Sequence, residues 1–267
     1  MSGAKNAMEI FSVLDKSNCK KCGEKTCLAF AGAVFTGTRH IGECPNIGNE
    51  DRARFSNGDS GVKRPEEEME EYIASLKKEV GQLDFATVAE RIGGSREPGE
   101  LTVKVLGKSF GVCEDGRFKT DLHIIPWLVI PLMDYILNCS GSPVTGEWIS
   151  FREIQGGKEK YALFKKRGED VLKYLADRYT DFFNDIVHMF DGRAVAEEFE
   201  SDVSVVLYPF PLVPIMICYW KPEDGLESSL NIFFDKSIEQ NLGAESIFFL
   251  GTGLASMLDK LAEHHGF

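Results

Sequence analysis

Apolar and polar positions alternate along the chain with two periods, and these divide it into short elements. Apolar residues recurring about every three to four positions predict helices, at 7–14, 26–37, 65–81, 84–91, 121–138, 171–190 and 244–264. Alternating stretches predict strands, at 101–105, 109–113, 148–154, 203–208, 214–220 and 229–234. The turn at Gly107 predicts a hairpin. The fold class is therefore α+β, a small helical module followed by a mixed α+β domain whose sheet is mainly antiparallel.

Charge and composition divide the chain in the same way. Residues 1–60 hold eight basic and seven acidic side chains, whereas the whole chain has a net charge of −12. The stretch 51–64 is polar and contains glycine, which is typical of a linker. We therefore predict a metal-cluster module over 1–50, a linker over 51–64 and an α+β domain over 65–267.

The bulk composition excludes several classes of protein. Apolar content of 43% and charged content of 27% are those of a folded globular protein. The apolar runs 122–137 and 205–220 contain prolines and are shorter than the roughly 20 residues that a bilayer requires, so we expect no membrane span. No secretory leader pattern opens the sequence, so we expect a cytoplasmic protein. The net negative charge of the chain argues against nucleic acid as a partner.

Cysteine spacing carries the clearest chemical signal. Four of the seven cysteines fall within 26 residues with two, four and sixteen residues between them, at Cys19, Cys22, Cys27 and Cys44. A tight loop can present the first three thiolates to a [4Fe–4S] cluster while the fourth returns from beyond a helix. Tetrahedral zinc is the alternative, although zinc ligands usually come as two Cys-x2-Cys pairs.

The surroundings of these cysteines suit a negatively charged cluster. Gly23 allows the backbone to bend closely around it, and the helix that begins at Thr26 directs its positive end toward it. Nearby lysines raise the potential of the cluster by stabilising its reduced form. The remaining cysteines, Cys113, Cys139 and Cys218, lie in apolar surroundings, which indicates buried core residues.

The segments CKKCGEKTCLAFAGAV, at 19–34, and GECP, at 42–45, carry a specific resemblance. They resemble the iron–sulfur module of the large subunit of corrinoid iron–sulfur proteins and acetyl-CoA decarbonylase/synthase complexes, over about residues 7–47. The B subunits of ion-pumping ferredoxin oxidoreductases carry a similar module. The resemblance implies a [4Fe–4S] cluster on the four cysteines that supplies electrons to reactivate cobalt.

A second resemblance covers the larger domain. SPVTGEWISFREIQGG, at 142–157, and NIFFDKSIEQNLGAESIFFLG, at 231–251, are similar to the DUF3786 family. Members of that family often follow such an iron–sulfur module, and the family is named for lacking a known function. Taken together with the iron–sulfur module, we expect an anaerobic redox protein.

Three residues of the larger domain are candidates for a corrinoid (cobalamin) pocket. His123 lies at the start of a predicted apolar helix and has a nitrogen that could bind cobalt. Trp148 follows the VTGE turn and Tyr208 precedes a proline-rich stretch, so their rings could line a pocket for a flat cofactor. For His123, a hydrogen-bonded histidine in the core or at the helix start is the favoured interpretation. A hydrophobic core explains the two aromatic residues as well as a pocket does.

No Ser-His-Asp order or carboxylate pair stands out, so catalytic residues stay unassigned. The leading hypothesis is an iron–sulfur redox protein that binds a corrinoid in the larger domain, transfers single electrons to its cobalt, or does both. The alternative is an electron-transfer or docking protein for another anaerobic redox enzyme, without a corrinoid of its own. A redox partner protein is implied in either case, and an electron-transfer or cofactor-binding role is favoured over a catalyst.

Overall fold

A computed structural model describes residues 4, 6–56, 65–179, 181–195 and 198–264. The chain forms two compact units, Met1–Tyr72 and Ile73–Phe267. The predicted linker, 51–64, lies earlier in the chain than this division, and its residues 57–64 fall outside the described ranges. The predicted domain boundaries stay a prediction.

The first unit is helical. Its complete helices are α1 (Ala7–Val13), α2 (Cys27–Phe35) and α3 (Asn49–Ser56), with a 3₁₀ turn at Ile41–Glu43. As predicted, the Thr26 hydroxyl caps α2 by accepting a 3.0 Å hydrogen bond from the backbone N–H of Ala29. Gly37, with φ of +74°, follows the end of that helix.

A small apolar core joins these helices. Its buried residues come from every helix and from the segments between them: Ile10, Leu14, Cys27, Phe30, Ala31, Val34, Ile41, Cys44, Ile47 and Phe55. Two of the four candidate cysteine ligands therefore belong to the core itself.

Part of the predicted linker is ordered. Residues 51–56 belong to α3, and Phe55 from that helix is buried in the core of the first unit. Polar composition predicted a linker here because Phe55 is the one large apolar side chain of residues 51–56, which is too few to show helical periodicity. The burial of Phe55 holds the segment in place.

The second unit begins within α4 (Pro65–Val80). Next come α5 (Phe85–Ile92) and a four-stranded antiparallel sheet, β1 (Ser95–Glu97), β2 (Glu100–Val105), β3 (Lys108–Cys113) and β4 (Phe118–Lys119). The predicted hairpin joins β2 to β3. Leu106 and Gly107 both have positive φ, 47° and 77°, as a two-residue hairpin turn requires.

The rest of the second unit combines helices with a five-stranded sheet. Its helices are α6 (Pro126–Asn138), α7 (Gly157–Phe164), α8 (Asp170–Ala176), α9 (Phe182–Met189), α10 (Ile238–Asn241) and α11 (Ala244–His264). Its strands are β5 (Trp148–Ser150), β6 (Arg193–Val195), β7 (Val203–Phe210), β8 (Val213–Trp220) and β9 (Ser229–Asp235). The order across the sheet is β5-β9-β8-β7-β6, and all neighbours are antiparallel.

The two faces of the five-stranded sheet differ. On one face, Phe234 packs against Phe164 of α7, with ring centroids 6.0 Å apart. Because side chains alternate along a strand, Met216 and Cys218 of β8 belong to the opposite face. There they form a small buried cluster with Val206 of β7.

One predicted helix starts later than expected. Periodicity predicts a helix over 121–138, but α6 begins at Pro126. A proline disfavours helical backbone in the residue before it, and Ile125 is extended. Pro126 therefore occupies the first helical position, where proline is well tolerated, and does not bend the helix.

Two further predictions were wrong in their boundaries. The strand predicted over 148–154 stops at Ser150 and continues as a 3₁₀ turn. The helix predicted over 171–190 is interrupted between α8 and α9, and helical structure begins earlier, at α7. Between α7 and α8 lies one π-helical segment, Lys165–Glu169. The wider turn of such a segment puts the apolar positions before and after it out of phase, so they do not follow a single helical period.

The α+β class, with its helical start and antiparallel sheets, is confirmed. Cys113, Cys139 and Cys218 are buried as predicted, each 6% exposed or less. Within the described ranges, none of the helices combines the length and apolar character that a bilayer crossing requires.

Candidate metal centre and a braced loop

The four candidate ligands gather around one part of the first unit. Cys19 and Cys22 lie in the loop after α1, Cys27 is the first residue of α2, and Cys44 follows the 3₁₀ turn. Cys27 and Cys44 are buried, and the first two cysteines are half-buried. Cys22 also packs against the core that contains Cys27 and Cys44. Three of the four side chains therefore share one apolar cluster.

The loop that carries the first cysteines has an uncommon backbone. Lys16, Asn18 and Lys20 have φ of 58°, 50° and 60°, and Gly23 has φ of 85°. Left-handed backbone is costly for residues other than glycine. Successive residues in mixed conformations direct their N–H groups into a shared concavity, a geometry that recurs at phosphate and iron–sulfur sites. This loop is therefore suited to an anionic group.

Backbone and amide donors reach the cysteine sulfurs. The N–H of Asn18 donates to Sγ of Cys27 over 3.3 Å, and the N–H of Cys27 donates to Oδ1 of Asn18 over 2.7 Å. The amide of Asn46 lies 3.8 Å from Sγ of Cys19. Hydrogen bonds to ligand sulfurs stabilise thiolates and tune the potential of an iron–sulfur cluster.

Burial and neighbouring negative charge both act on the pKa of the Cys44 thiol. Burial raises the pKa of the Cys44 thiol, and negative charge on Cys22, Asp15 and Cys19 raises it further, while a bond from the Asn46 N–H opposes this. The pKa of Asp15 is lowered, chiefly by the N–H of Ser17 and then by the Ser17 hydroxyl and Asn46.

Four thiols, a loop with left-handed residues and an N–H···S bond fit an iron–sulfur cluster. In the described part of the chain, no three His, Cys, Asp or Glu side chains converge closely enough to hold a single metal ion. Sequence reasoning missed Asp15, Asn18 and Asn46. The position of Asn18 immediately before Cys19 was an available signal, because asparagine tolerates left-handed backbone.

In the second unit, the structure brings together two of the three predicted pocket residues. Trp148 and Tyr208 both pack on the cluster of Val206, Met216 and Cys218. His123 is exposed in the segment between β4 and α6 and is not among the residues packed there. The prediction that His123 starts a helix is wrong, since α6 begins at Pro126.

Several aromatic rings share that face of the sheet. We call the aromatic face the set Trp148, Phe199, Tyr208, Trp220 and Phe233. Phe199 stacks on Phe233 with ring centroids 4.6 Å apart, and the guanidinium of Arg193 lies 5.5 Å from the centroid of Tyr208. Phe199 remains 47% exposed, so the aromatic face is in part open to solvent.

Beside Trp148, an exposed loop at 142–147 is held by a buried carboxylate. Asp235 is 0% exposed. It accepts hydrogen bonds from the N–H of Thr145, Gly146 and Ser237 at 3.0, 2.6 and 2.9 Å. Although burial acts to raise the pKa of Asp235, bonds from Ser237, Thr145 and Gly146 lower it below its ordinary range.

A buried amide holds the other end of the same loop. Asn241 is 0% exposed. Its Oδ1 accepts from the N–H of Ser142 over 3.0 Å, and its Nδ2 donates to the carbonyls of Ser142 and Leu212 at 2.8 and 3.2 Å. Asp235 and Asn241 come from the second segment of the DUF3786 resemblance and brace the first. We call 142–147 the braced loop.

Comparison with known families defines first the class of protein. A sequence model described as "Putative Fe-S cluster" matches residues 14–46, which include all four candidate cysteines. The protein is an iron–sulfur protein. A second model, "Domain of unknown function (DUF3786)", matches residues 84–257. That match spans well over half of the chain, and the chain belongs to the DUF3786 family.

Two relatives share parts of the sequence. The acetyl-CoA decarbonylase/synthase complex subunit gamma of Methanothermobacter thermautotrophicus is 33% identical over 51 residues, 19% of this chain and 11% of the relative. The subunit of the same name from Methanocaldococcus jannaschii is 26% identical over 160 residues, 45% of this chain and 31% of the relative. The chain thus spans less than a third of either relative. No solved structure matches.

Proposed function

We propose that this chain is a one-electron carrier in the anaerobic cytoplasm, with a [4Fe–4S] cluster on Cys19, Cys22, Cys27 and Cys44, and that it serves corrinoid chemistry. Residues 1–50 would hold the cluster, and residues 65–267 would bind the corrinoid or the protein that carries it. The observation that supports this most is the gathering of the four cysteines around one loop, from which the N–H of Asn18 donates to the Cys27 sulfur.

When bound, such a cluster supplies or accepts one electron at a time. The residues of this chain determine its surroundings. Cys27 and Cys44 lie in the core and exclude water, whereas Cys19 and Cys22 are half-buried and leave an edge from which an electron can leave. The N–H of Asn18 donates to the Cys27 sulfur and offsets negative charge there. Cys27 also lies at the N-terminal end of α2, where the helix dipole favours a negative group.

The corrinoid part of the proposal rests on family resemblance and on the aromatic face. Both relatives are named as subunits of an acetyl-CoA decarbonylase/synthase complex, and the module resembles that of corrinoid iron–sulfur proteins. Trp148 and Tyr208 share one partly open sheet face, and broad apolar rings suit a large flat ligand. We leave His123 out of this surface.

Anaerobic purification with iron, sulfide and cobalt analysis, combined with EPR, tests the cluster and reports any corrinoid that copurifies. We expect about four irons and four sulfides per chain. Zinc in place of iron would overturn the cluster assignment.

Titration with added cobalamin tests the corrinoid surface. Trp148→Ala and Tyr208→Ala should each weaken binding, by about tenfold if the rings contribute about 1–1.5 kcal/mol. Tyr174→Ala is the matched control, because Tyr174 is a 48% exposed aromatic of α8. If the wild-type protein holds its cluster but binds no cobalamin, the corrinoid-binding part of the proposal is overturned. The protein would then be an electron carrier without a corrinoid of its own.

A further inference from the structure

The cysteine loop presents a positive surface on an acidic protein. Four lysines of this loop are exposed, Lys16, Lys20, Lys21 and Lys25, although the whole chain carries a net charge of −12. We call these four residues the lysine face.

Acidic residues near the lysine face are engaged elsewhere. Asp15 accepts hydrogen bonds from Ser17 and Asn46, and Glu24 pairs with Arg39 over 3.6 Å. The described ion pairs of the first unit use Arg39 and Arg54 and no lysine of this face. Residues 15–25 hold four lysines and two carboxylates, Asp15 and Glu24, and Glu24 is already paired with Arg39, so the net charge of the loop is positive.

The lysine face surrounds the more accessible cysteines. Cys19 and Cys22 are half-buried and lie between the lysines in sequence. Lys16 and Lys20 are held in left-handed backbone, which costs free energy that the loop geometry must offset. Leu28, next to Cys27, is 49% exposed. An apolar residue beside a charged rim is the composition of small transient protein interfaces.

We propose that the lysine face docks an acidic iron–sulfur carrier protein of the ferredoxin type. One electron passes from the reduced carrier to the oxidised cluster through the edge formed by Cys19 and Cys22. The carrier is oxidised by one electron, the cluster is reduced by one electron, and no bond forms or breaks. This inference rests on the proposed cluster.

Opposite charge would accelerate such an encounter. Electrostatic steering raises association rates by about 10- to 1,000-fold and weakens as salt screens it.

The test measures reduction of the cluster by stopped flow in the full-length, cluster-loaded protein. The variant is a triple mutant of the lysine face that combines Lys20→Glu, Lys21→Glu and Lys25→Glu. The control is Lys78→Glu, Lys158→Glu, Lys166→Glu, which changes three exposed lysines of the second unit and produces the same net charge. The reductants are a reduced acidic ferredoxin and, separately, the methyl viologen radical cation.

With ferredoxin at low salt, we expect the variant to react about tenfold more slowly than wild type and the control to stay within about twofold. The difference should collapse in about 0.5 M salt. With the viologen cation, the variant should react as fast as wild type or faster, because its loop now attracts a cation.

Three results would each overturn the docking proposal. The variant and the control could lose the same reduction rate with ferredoxin, or the variant could lose as much rate with viologen as with ferredoxin. The third is a rate difference that salt leaves unchanged. Iron, sulfide and EPR are measured first on every protein. A wild type without a cluster overturns both this inference and the proposed function, whereas a loaded cluster with unaffected rates overturns the docking proposal alone.

Discussion

Two loops of this protein are held by different means. The cysteine loop has left-handed backbone at Lys16, Asn18 and Lys20 and belongs to a unit with a small core. The braced loop is tied at both ends by the buried residues Asp235 and Asn241. The braced loop is thus complete in the polypeptide alone, whereas we infer that the cysteine loop needs its cluster for stability.

The largest expected effect is the loss of a cluster ligand. Cys27→Ser removes a thiolate and leaves a hydroxyl in the small core, so we expect loss of most iron and sulfide and unfolding of the first unit. The second unit should keep its own melting transition. Calorimetry and metal analysis measure both.

The matched control is Cys113→Ala, because Cys113 is buried in β3 of the second unit. It should retain the full iron content. Full iron in Cys27→Ser, or unfolding of the whole chain as one transition, would contradict the comparison between the two loops.

The next effect tests the braced loop. Asp235→Ala leaves the N–H groups of Thr145, Gly146 and Ser237 without their acceptor, so the free energy of unfolding of the second unit should fall by about 3 kcal/mol or more. Hydrogen exchange of the 142–147 amides should accelerate, and the iron content should not change.

Asp115→Ala is the control for Asp235→Ala. Asp115 is exposed and pairs with Arg117, so its removal should cost less than about 1 kcal/mol. If the amide hydrogen-exchange rates of residues 142–147 are unchanged in Asp235→Ala, other contacts must hold the braced loop in place.

A smaller effect is expected at the helix that carries Cys27. Thr26→Ala removes the cap of α2 and should lower the free energy of unfolding of the first unit by about 1 kcal/mol. Thr26→Ser keeps a capping hydroxyl, so it should retain most of the free energy of unfolding that Thr26→Ala loses. Denaturant unfolding of the cluster-free and cluster-loaded forms measures the change, and equal values for both substitutions would exclude capping as the cause.

The smallest expected effect is a change in pH dependence. Glu169 is 1% exposed and accepts from the hydroxyl of Tyr161 and the N–H of Ile232. Burial raises its pKa above the ordinary value of 4.5, despite those bonds. The folded state therefore keeps this proton where the unfolded state has released it, and stability falls as the pH rises from 4.5 through the folded pKa.

Glu169→Gln cannot ionise, so its unfolding free energy should decline less over the same pH range. Unfolding titrations at several pH values measure this slope. Glu79→Gln is the control, since Glu79 is exposed on α4. An unchanged slope in Glu169→Gln would mean that other groups control the pH dependence.

Local signals in the sequence predicted much of the fold. The capping residue Thr26, the glycine after α2, the turn at Gly107 and the spacing of apolar residues in β7, β8 and β9 each act within a few residues. Predictions of this kind succeed because hydrogen bonds of caps and turns join neighbours in sequence.

The missed features depend on distant residues. The segment that forms α3 is held in place because Phe55 is buried in a core built by other helices. The π segment before α8 carries Glu169, whose carboxylate bonds to Ile232 of β9, 63 positions away. Neither contact leaves a period in the local sequence, so pattern reasoning could not find them.

The sequence by itself determined the α+β class, the buried cysteines and the candidate ligand set, because residue type and spacing are local properties. Only the tertiary structure brought Trp148 and Tyr208 onto one sheet face without His123. It also placed Asp235 and Asn241 under the braced loop, about 90 and 99 positions from the residues they hold. Those contacts depend on strand register and helix packing, which join distant parts of the chain.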